Sequence, residues 1–320
     1  MTDTPETPPW PKVAVMGAGA VGCYFGAMLA RAGASVTLIG RSPHVEAIAK
    51  EGLLLDTQQF SGRVMMEASL DPAAARGAAL VLFAVKTYDT DAATLALAPH
   101  LARGAVVVSL QNGVDNAEKI RVATGRVAFP AVVYVAAEMT APGAVTHAGR
   151  GDLIVGDDEP NGPEAPGREP ALKEVASVFA RAGVPCRISA NVNAELWTKL
   201  AINCAYNAAS ALGRARYARL VALPERVLLL RTVVEETIAV ARAGGVQLDP
   251  VFVSEAALRI APAMPDATSS TAQDLARGRR TEIEALNGFV TRRGEALGVP
   301  TPVNRTLATL VRLLEETDAR

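Results

Sequence analysis

The stretch Val13-Ala14-Val15-Met16-Gly17-Ala18-Gly19-Ala20-Val21-Gly22 decides the fold. An apolar run of strand length leads directly into G-x-G-x-x-G, and the helix-like CYFGAMLARAG follows up to Gly33, ahead of the next apolar run, SVTLIG. In that context the glycines have separate duties. Gly17 permits a tight turn, Gly19 lets backbone amides approach a pyrophosphate, and Gly22 allows close helix-to-sheet packing. The helix N-terminus adds partial positive charge. The expected dinucleotide contacts are therefore Gly17, Ala18, Gly19, Ala20, Val21 and Gly22. A glycine-rich βα turn without a ligand is the plain alternative, and strand, spacing and helix together weigh against it.

Working outward, AALVLFAVK and AVVVSLQNG continue the alternation of short apolar runs with helical stretches, which reads as βαβ units around a parallel sheet. Between about Phe129 and Val155 lie extended segments punctuated by Pro142-Gly143 and Gly149, expected to finish the sheet in antiparallel fashion. The segment DDEPNGPEAPGREP, 157–170, reads as a solvated loop. After about Val175 the period becomes helical, with long stretches near 190–213, 224–243, 271–297 and 304–317, and only VPCRIS looks like a strand. The expectation is an α/β chain with a flexible N-terminal tail (1–11), a Rossmann-like dinucleotide-binding domain (12–190) and an all-α C-terminal domain (191–320).

The chain has 320 residues, half of them apolar, enough to bury a sizeable core. Its formal net charge of −1 supplies no global field to pull it onto nucleic acid or an anionic membrane. The start, MTDTPETPPWPK, lacks an apolar h-region, and no apolar run reaches bilayer length, so a soluble protein is expected. Cys23, Cys186 and Cys204 are far apart with mostly apolar neighbours, which fits reduced thiols in a cytoplasm. His44, His100 and His147 have no His or Cys at ligand spacing, so a metal site has no support.

An NAD-specific site usually carries Asp or Glu at the end of the second strand, where this chain has Gly40-Arg41-Ser42. Arg41 favours a 2′-phosphate and hence NADP, the bland alternative being an exposed arginine after a strand. Lys86, at the end of AALVLFAVK, opens on the same crevice as the glycine loop and can add charge near the phosphates. Asn112, in Gln111-Asn112-Gly113, offers a donor and an acceptor to a ribose or substrate, or is simply part of an Asn-Gly turn.

The segment AELWTKLAINCAYNAASAL is apolar almost all round, with Lys199, Asn203 and Asn207 forming one polar stripe at i, i+4 and i+8. Burying a lysine and two amides unpartnered would cost roughly several kcal/mol, so the stripe must face a polar network or a wet cleft. Spacing alone leaves both open.

With these pieces in hand, the chain resembles the ketopantoate reductase (2-dehydropantoate 2-reductase) family. The resemblance is carried by GAGAVG with Arg41, Val85-Lys86, Gln111 to Gly113, ELWTKLAINCAYN, and SSTAQDLARGRRTEIEALNG from Ser269 to Gly288, in family order over nearly the whole chain after residue 12. It implies NADPH-dependent reduction of a small 2-oxo acid, 2-dehydropantoate to pantoate in pantothenate biosynthesis. It also implies Lys199 as general acid, with Asn203, Asn207 and Ser270 as substrate contacts. Glu282 would sit beside the cofactor and the active lysine, Asn112 against the nicotinamide ribose or substrate, and Ala137 along the cofactor.

The chain departs from the family pattern after the lysine helix, in Asn207-Ala-Ala-Ser-Ala-Leu, and at Tyr217, where the family carries a further substrate asparagine. Reduction of another 2-oxo acid, a ketone or an opine-type imine is the alternative within enzymes. A non-catalytic NADPH-binding sensor is the alternative outside them, and the joint presence of Lys199, both asparagines, Ser270 and Glu282 speaks against it. No histidine is placed as a convincing acid. The apolar helices near the C-terminus could pack within their domain or across a homodimer interface.

Overall fold

The computed structural model describes residues 9–159 and 165–318. The chain divides into two compact units, Met1–Gln111 with Asp115–Val192, and Asn112–Val114 with Asn193–Arg320. The expected tail lies outside the described residues as far as Thr7 and Pro8, and at its end the ring of Trp10 lies 3.9 Å from the guanidinium carbon of Arg181.

The first unit is built on β1 (Val13–Met16), which runs into α1 (Ala20–Arg31) and β2 (Val36–Ile39). Then come α2 (His44–Glu51), the short strands β3 (Leu53–Thr57), β4 (Ser61–Val64) and β5 (Glu67–Ser69), and β6 (Leu80–Phe83). The unit continues with α3 (Thr90–Leu97), β7 (Val106–Ser109), α4 (Asn116–Thr124), β8 (Val127–Ala141), β9 (Ala144–Gly156), α5 (Ala165–Arg181) and β10 (Cys186–Ser189).

Every residue of β1 is buried, as a strand covered on both faces requires. It pairs in parallel with β2 on one side and β6 on the other, Val13 standing opposite Val36 and Leu80. Alternation then sorts the core by face. Val13 and Val15 pack with Cys23, Phe25 and Leu29, while Ala14 and Met16 join Val81, Phe83, Leu97 and Ile120.

The sheet order among the described strands is β4-β3-β9-β8-β7-β6-β1-β2-β5, with β10 also on β9. The antiparallel ending expected for 129–155 holds only for β8 against β9. β8 enters parallel to β7 because α4 acts as a crossover, and β9 is parallel to β3 near its start and to β10 near its end. The hairpin-sized strands β3, β4 and β5 were not anticipated.

The expected loop 157–170 is corrected in its second half, where α5 begins at Ala165 and carries Pro170 inside it. Arg168, nearly inaccessible, pairs with Asp157 at 2.6 Å, and Arg121 with Asp158 at 2.8 Å. These largely buried ion pairs tie the acidic stretch after β9 to α4 and α5, so Asp157, Asp158 and Arg168, which read as solvated, are internal, while Glu159 and Glu169 stay exposed.

The second unit is helical: α6 (Val192–Gly213), α7 (Tyr217–Leu220), α8 (Pro224–Ala243), α9 (Pro250–Ala263), α10 (Ser270–Ala276), α11 (Asn287–Leu297) and α12 (Pro302–Asp318). Small residues on α6, among them Ala201, Cys204, Ala205 and Ala208, meet Val233 and Val240 of α8, Val290 of α11 and Val311 of α12 in one core. A polar knot runs through it. Asn287 donates to Cys204 O at 3.0 Å and to Asn304 Oδ1 at 2.9 Å. Glu236 accepts from the Asn304 side chain at 2.8 Å and from the backbone of Val303 and Asn304 at 2.9 Å, capping α12.

Two further corrections apply to this unit. The stretch 271–297 is not one helix, because Gly278 has φ +61 and a single 3-10 turn, Ile283–Ala285, precedes α11. Helix α9 was missed, although Asp249 caps it through Val251 N (2.9 Å) and Phe252 N (3.2 Å) with Pro250 in the first turn. Among the described residues no helix is long and apolar enough to cross a membrane.

Candidate functional site

In the first unit the glycine loop closes the β1–α1 junction. Gly17 has φ +120, and a Cβ there would sit 2.6 Å from the Ala84 carbonyl carbon, so the turn presses against the segment leading to Lys86. A Cβ on Gly22 would come within 2.0 Å of Gly17 O. Gly19 differs: a Cβ there would meet nothing within 4 Å. The protein's own packing does not demand glycine at 19, and the open space beside it leaves room for a ligand's approach. Gly19 is also the N-cap of α1, with no side-chain cap and no acidic residue in the first turn. Ala18 is buried, while Ala20 and Val21 are partly so. The cradle fits a dinucleotide pyrophosphate.

Gly40 explains the missing carboxylate after β2. A Cβ on Gly40 would lie 2.4 Å from the Ala18 Cβ, leaving no room for Asp or Glu. The cation falls one residue later, at Arg41, whose Nη2 is 2.9 Å from Asp89 Oδ2. Asp89 belongs to the turn that follows Lys86, its backbone N donating to Lys86 O at 2.9 Å. Arg41 and Lys86 are thus brought to one edge. Ala137 lies on β8 opposite His147 and packs against the core on the α1 side.

In the second unit, α6 presents Lys199 and Asn203 partly buried and Asn207 buried. Burial pushes the Lys199 ammonium down from 10.5 to about 8, and the neighbouring Glu282 carboxylate opposes that fall. Glu282 is 7% exposed and accepts a 3.1 Å hydrogen bond from Asn112 Nδ2. It stands in the break between α10 and α11, so the interruption of that helical stretch is what delivers the carboxylate. At the far end of the stripe Asn207 Nδ2 donates to Ser270 Oγ at 3.4 Å.

Sequence reasoning passed over two polar residues beside the named ones. Ser269, not Ser270, is the structural serine. It is fully buried, donates to Asn207 O at 3.0 Å and accepts from Ala272 N at 3.1 Å as the cap of α10. That leaves the Ser270 hydroxyl exposed. Gln111 is a bracket in the first unit, donating to Val85 O (3.1 Å) and Thr90 Oγ1 (2.7 Å). A serine three residues ahead of a helical turn's free N–H was the signal available for the first. None marked the second.

The family model described as Ketopantoate reductase PanE/ApbA matches residues 13–160, and the one described as Ketopantoate reductase PanE/ApbA C terminal matches 191–315. The chain belongs to the ketopantoate reductase PanE/ApbA family.

A 2-dehydropantoate 2-reductase of Halobacterium salinarum is 34% identical over 308 residues, covering 95% of this chain and 99% of the relative. A crystal structure of a PanE/ApbA family ketopantoate reductase from Ralstonia eutropha JMP134 is 51% identical with TM-score 0.89, covering 97% of this chain and 100% of that one. The ternary structure of D-mandelate dehydrogenase with NADH and anilino(oxo)acetate is 25% identical with TM-score 0.88, at 97% and 100% coverage. As a member of the ketopantoate reductase family the chain is a dinucleotide-dependent oxidoreductase acting on CH–OH groups, with a Rossmann-type fold and a small-molecule substrate.

Proposed function

We propose that the chain reduces 2-dehydropantoate to pantoate with NADPH, in the cytoplasm, as a step of pantothenate biosynthesis. Residues 12–190 serve as the dinucleotide-binding domain, and 191–320 supply the acid and the substrate contacts. The observation that carries this reading is Lys199, a partly buried ammonium lowered to about 8, at the head of the Lys199–Asn203–Asn207 stripe and beside Glu282. Such a group is poised to give up a proton near neutral pH.

NADPH, once bound, would supply a hydride to the carbonyl carbon. As negative charge grows on the carbonyl oxygen, Lys199 Nζ donates a proton to it, leaving the alcohol and a neutral amine. Glu282 keeps the ammonium charged beforehand, and by accepting from Asn112 it fixes that amide for the nicotinamide ribose or substrate. Asn203, Asn207 and Ser270 donate to the carbonyl and carboxylate oxygens. Gly17 to Gly22 would hold the pyrophosphate, Arg41 and Lys86 the phosphates, and Ala137 would line the cofactor. A homodimer is the assembly this reading expects, with exposed Leu223 and Leu228 at the start of α8 and Leu310 and Leu313 on α12 as apolar side chains available to it.

A second reading, reduction of an aromatic 2-oxo acid with NADH, is favoured by the likeness to D-mandelate dehydrogenase and by Tyr217. The Tyr217 ring stands edge-on to Tyr206 with centroids 4.9 Å apart, and burial raises its phenol to about 12, keeping it a hydrogen donor. NADPH and NADH oxidation with 2-dehydropantoate, phenylglyoxylate and straight-chain 2-oxo acids separates the two. The first reading expects the highest kcat/KM for 2-dehydropantoate with NADPH, and higher kcat/KM for phenylglyoxylate with NADH would replace it.

A further inference from the structure

We propose that Asp89 is a specificity-determining residue for the 2′ end of the dinucleotide, competing with a 2′-phosphate for Arg41. The inference rests on the reading of Arg41 as the 2′-phosphate contact.

Gly40, packed against Ala18 of the glycine loop, fixes where the chain leaves β2, so Arg41 stands at the rim of that loop. Its side chain is 81% exposed, and its Nη2 is held 2.9 Å from Asp89 Oδ2, on a carboxylate 28% exposed. The local fold does not need that charge. Asp89 occupies the N-cap position of α3 without capping it through its side chain, and the turn is closed by its backbone N donating to Lys86 O. What the carboxylate does is neutralise the guanidinium and place a negative charge beside the position of an incoming dianion.

An exposed ion pair of this kind is weak enough to be exchanged. A 2′-phosphate takes over the Arg41 fork and meets the repulsion of Asp89, whereas a 2′-hydroxyl leaves the pair in place. Arg41 therefore favours NADP(H), and Asp89 trims that preference and keeps NAD(H) usable. The device is a matched pair: the cation selects, and the anion sets how strongly.

Calorimetric dissociation constants for NADP+, NAD+, 2′,5′-ADP and AMP, measured on wild type, Asp89→Asn, Arg41→Ala and the double variant, test this without turnover. Asp89→Asn should tighten NADP+ and 2′,5′-ADP by roughly 3- to 10-fold, the worth of one exposed charge interaction, and leave NAD+ and AMP within about 2-fold. The gain should be clearly smaller in the Arg41→Ala background, where only the repulsion of Asp89 is left to remove. Unchanged or weaker NADP+ binding by Asp89→Asn overturns the inference, as does a gain of undiminished size without Arg41, which would be repulsion alone with no competition for the guanidinium. If Arg41→Ala alone weakens NADP+ in either case, the Arg41 reading stands by itself; if it leaves NADP+ unchanged, both fall. Melting temperatures of the variants show that each is folded when titrated.

Discussion

The side-chain amide of Asn112 donates a 3.1 Å hydrogen bond to Oε2 of Glu282, 170 residues further along the chain. The same carboxylate opposes the loss of the Lys199 proton that burial favours. Glu282→Gln keeps the shape and an acceptor for Asn112 while removing the charge. Lys199 then loses its opposing partner, and its proton leaves at lower pH. Because the donor is active only when protonated, activity should be present below about pH 8 and fall as pH rises through it. In Glu282→Gln that fall should move to lower pH in kcat–pH profiles; an unmoved limb would detach Glu282 from the lysine.

The glycine loop allows two opposite outcomes from the same substitution. Gly22→Ala drives a methyl into Gly17 O and should lower Tm by several degrees. Gly19→Ala projects into open space, so Tm should hold while NADP+ binding weakens at least 10-fold. Calorimetry and thermal melts on both variants check this, and unimpaired binding by Gly19→Ala would remove the pyrophosphate from that position.

The adjacent serines divide in the same way. Ser269→Ala removes the cap of α10 and a buried hydrogen bond to Asn207 O, costing about 1–3 kcal/mol of stability in denaturant melts. Ser270→Ala should leave stability alone and raise the oxo-acid KM by an amount worth about 1.5–3 kcal/mol, with cofactor affinity unchanged. A Ser270→Ala enzyme with wild-type KM would take the serine off the substrate.

Much of this was legible because it is periodic or tied to one short motif. β1, the glycine loop, α1 and the lysine–asparagine stripe of α6 are each local in sequence, and each stands where that reading put it. What escaped depends on distant partners. β3, β4 and β5 are three to five residues long with polar residues interleaved, too short for an alternation signal. Asp157, Asp158 and Arg168 read as solvated until Arg168 pairs with Asp157, 11 residues earlier in the chain. The candidate site residues can be named one by one from the sequence, but the Asn112–Glu282 and Arg41–Asp89 pairs cannot, since nothing local links positions so far apart.

The most direct test of the central claim is Lys199→Met, with kcat for 2-dehydropantoate and Tm measured on the same preparation. Each tenfold change in proton affinity is worth about 1.4 kcal/mol, so the depression from 10.5 to about 8 costs the fold up to about 3 kcal/mol at neutral pH, less for the side chain's partial exposure. The cost is fully present below about pH 8 and is relieved as pH rises toward the unfolded value, because there the unfolded chain binds more protons. An apolar side chain of similar length removes that cost but leaves the Glu282 carboxylate, 7% exposed, without its cation, so the two effects oppose each other. The account predicts a variant that stays folded, binds NADP+ normally and has kcat lowered by ~10²–10⁴, the worth of a positioned acid. A variant with near-normal kcat and a lowered melting temperature would contradict it, making Lys199 a structural residue.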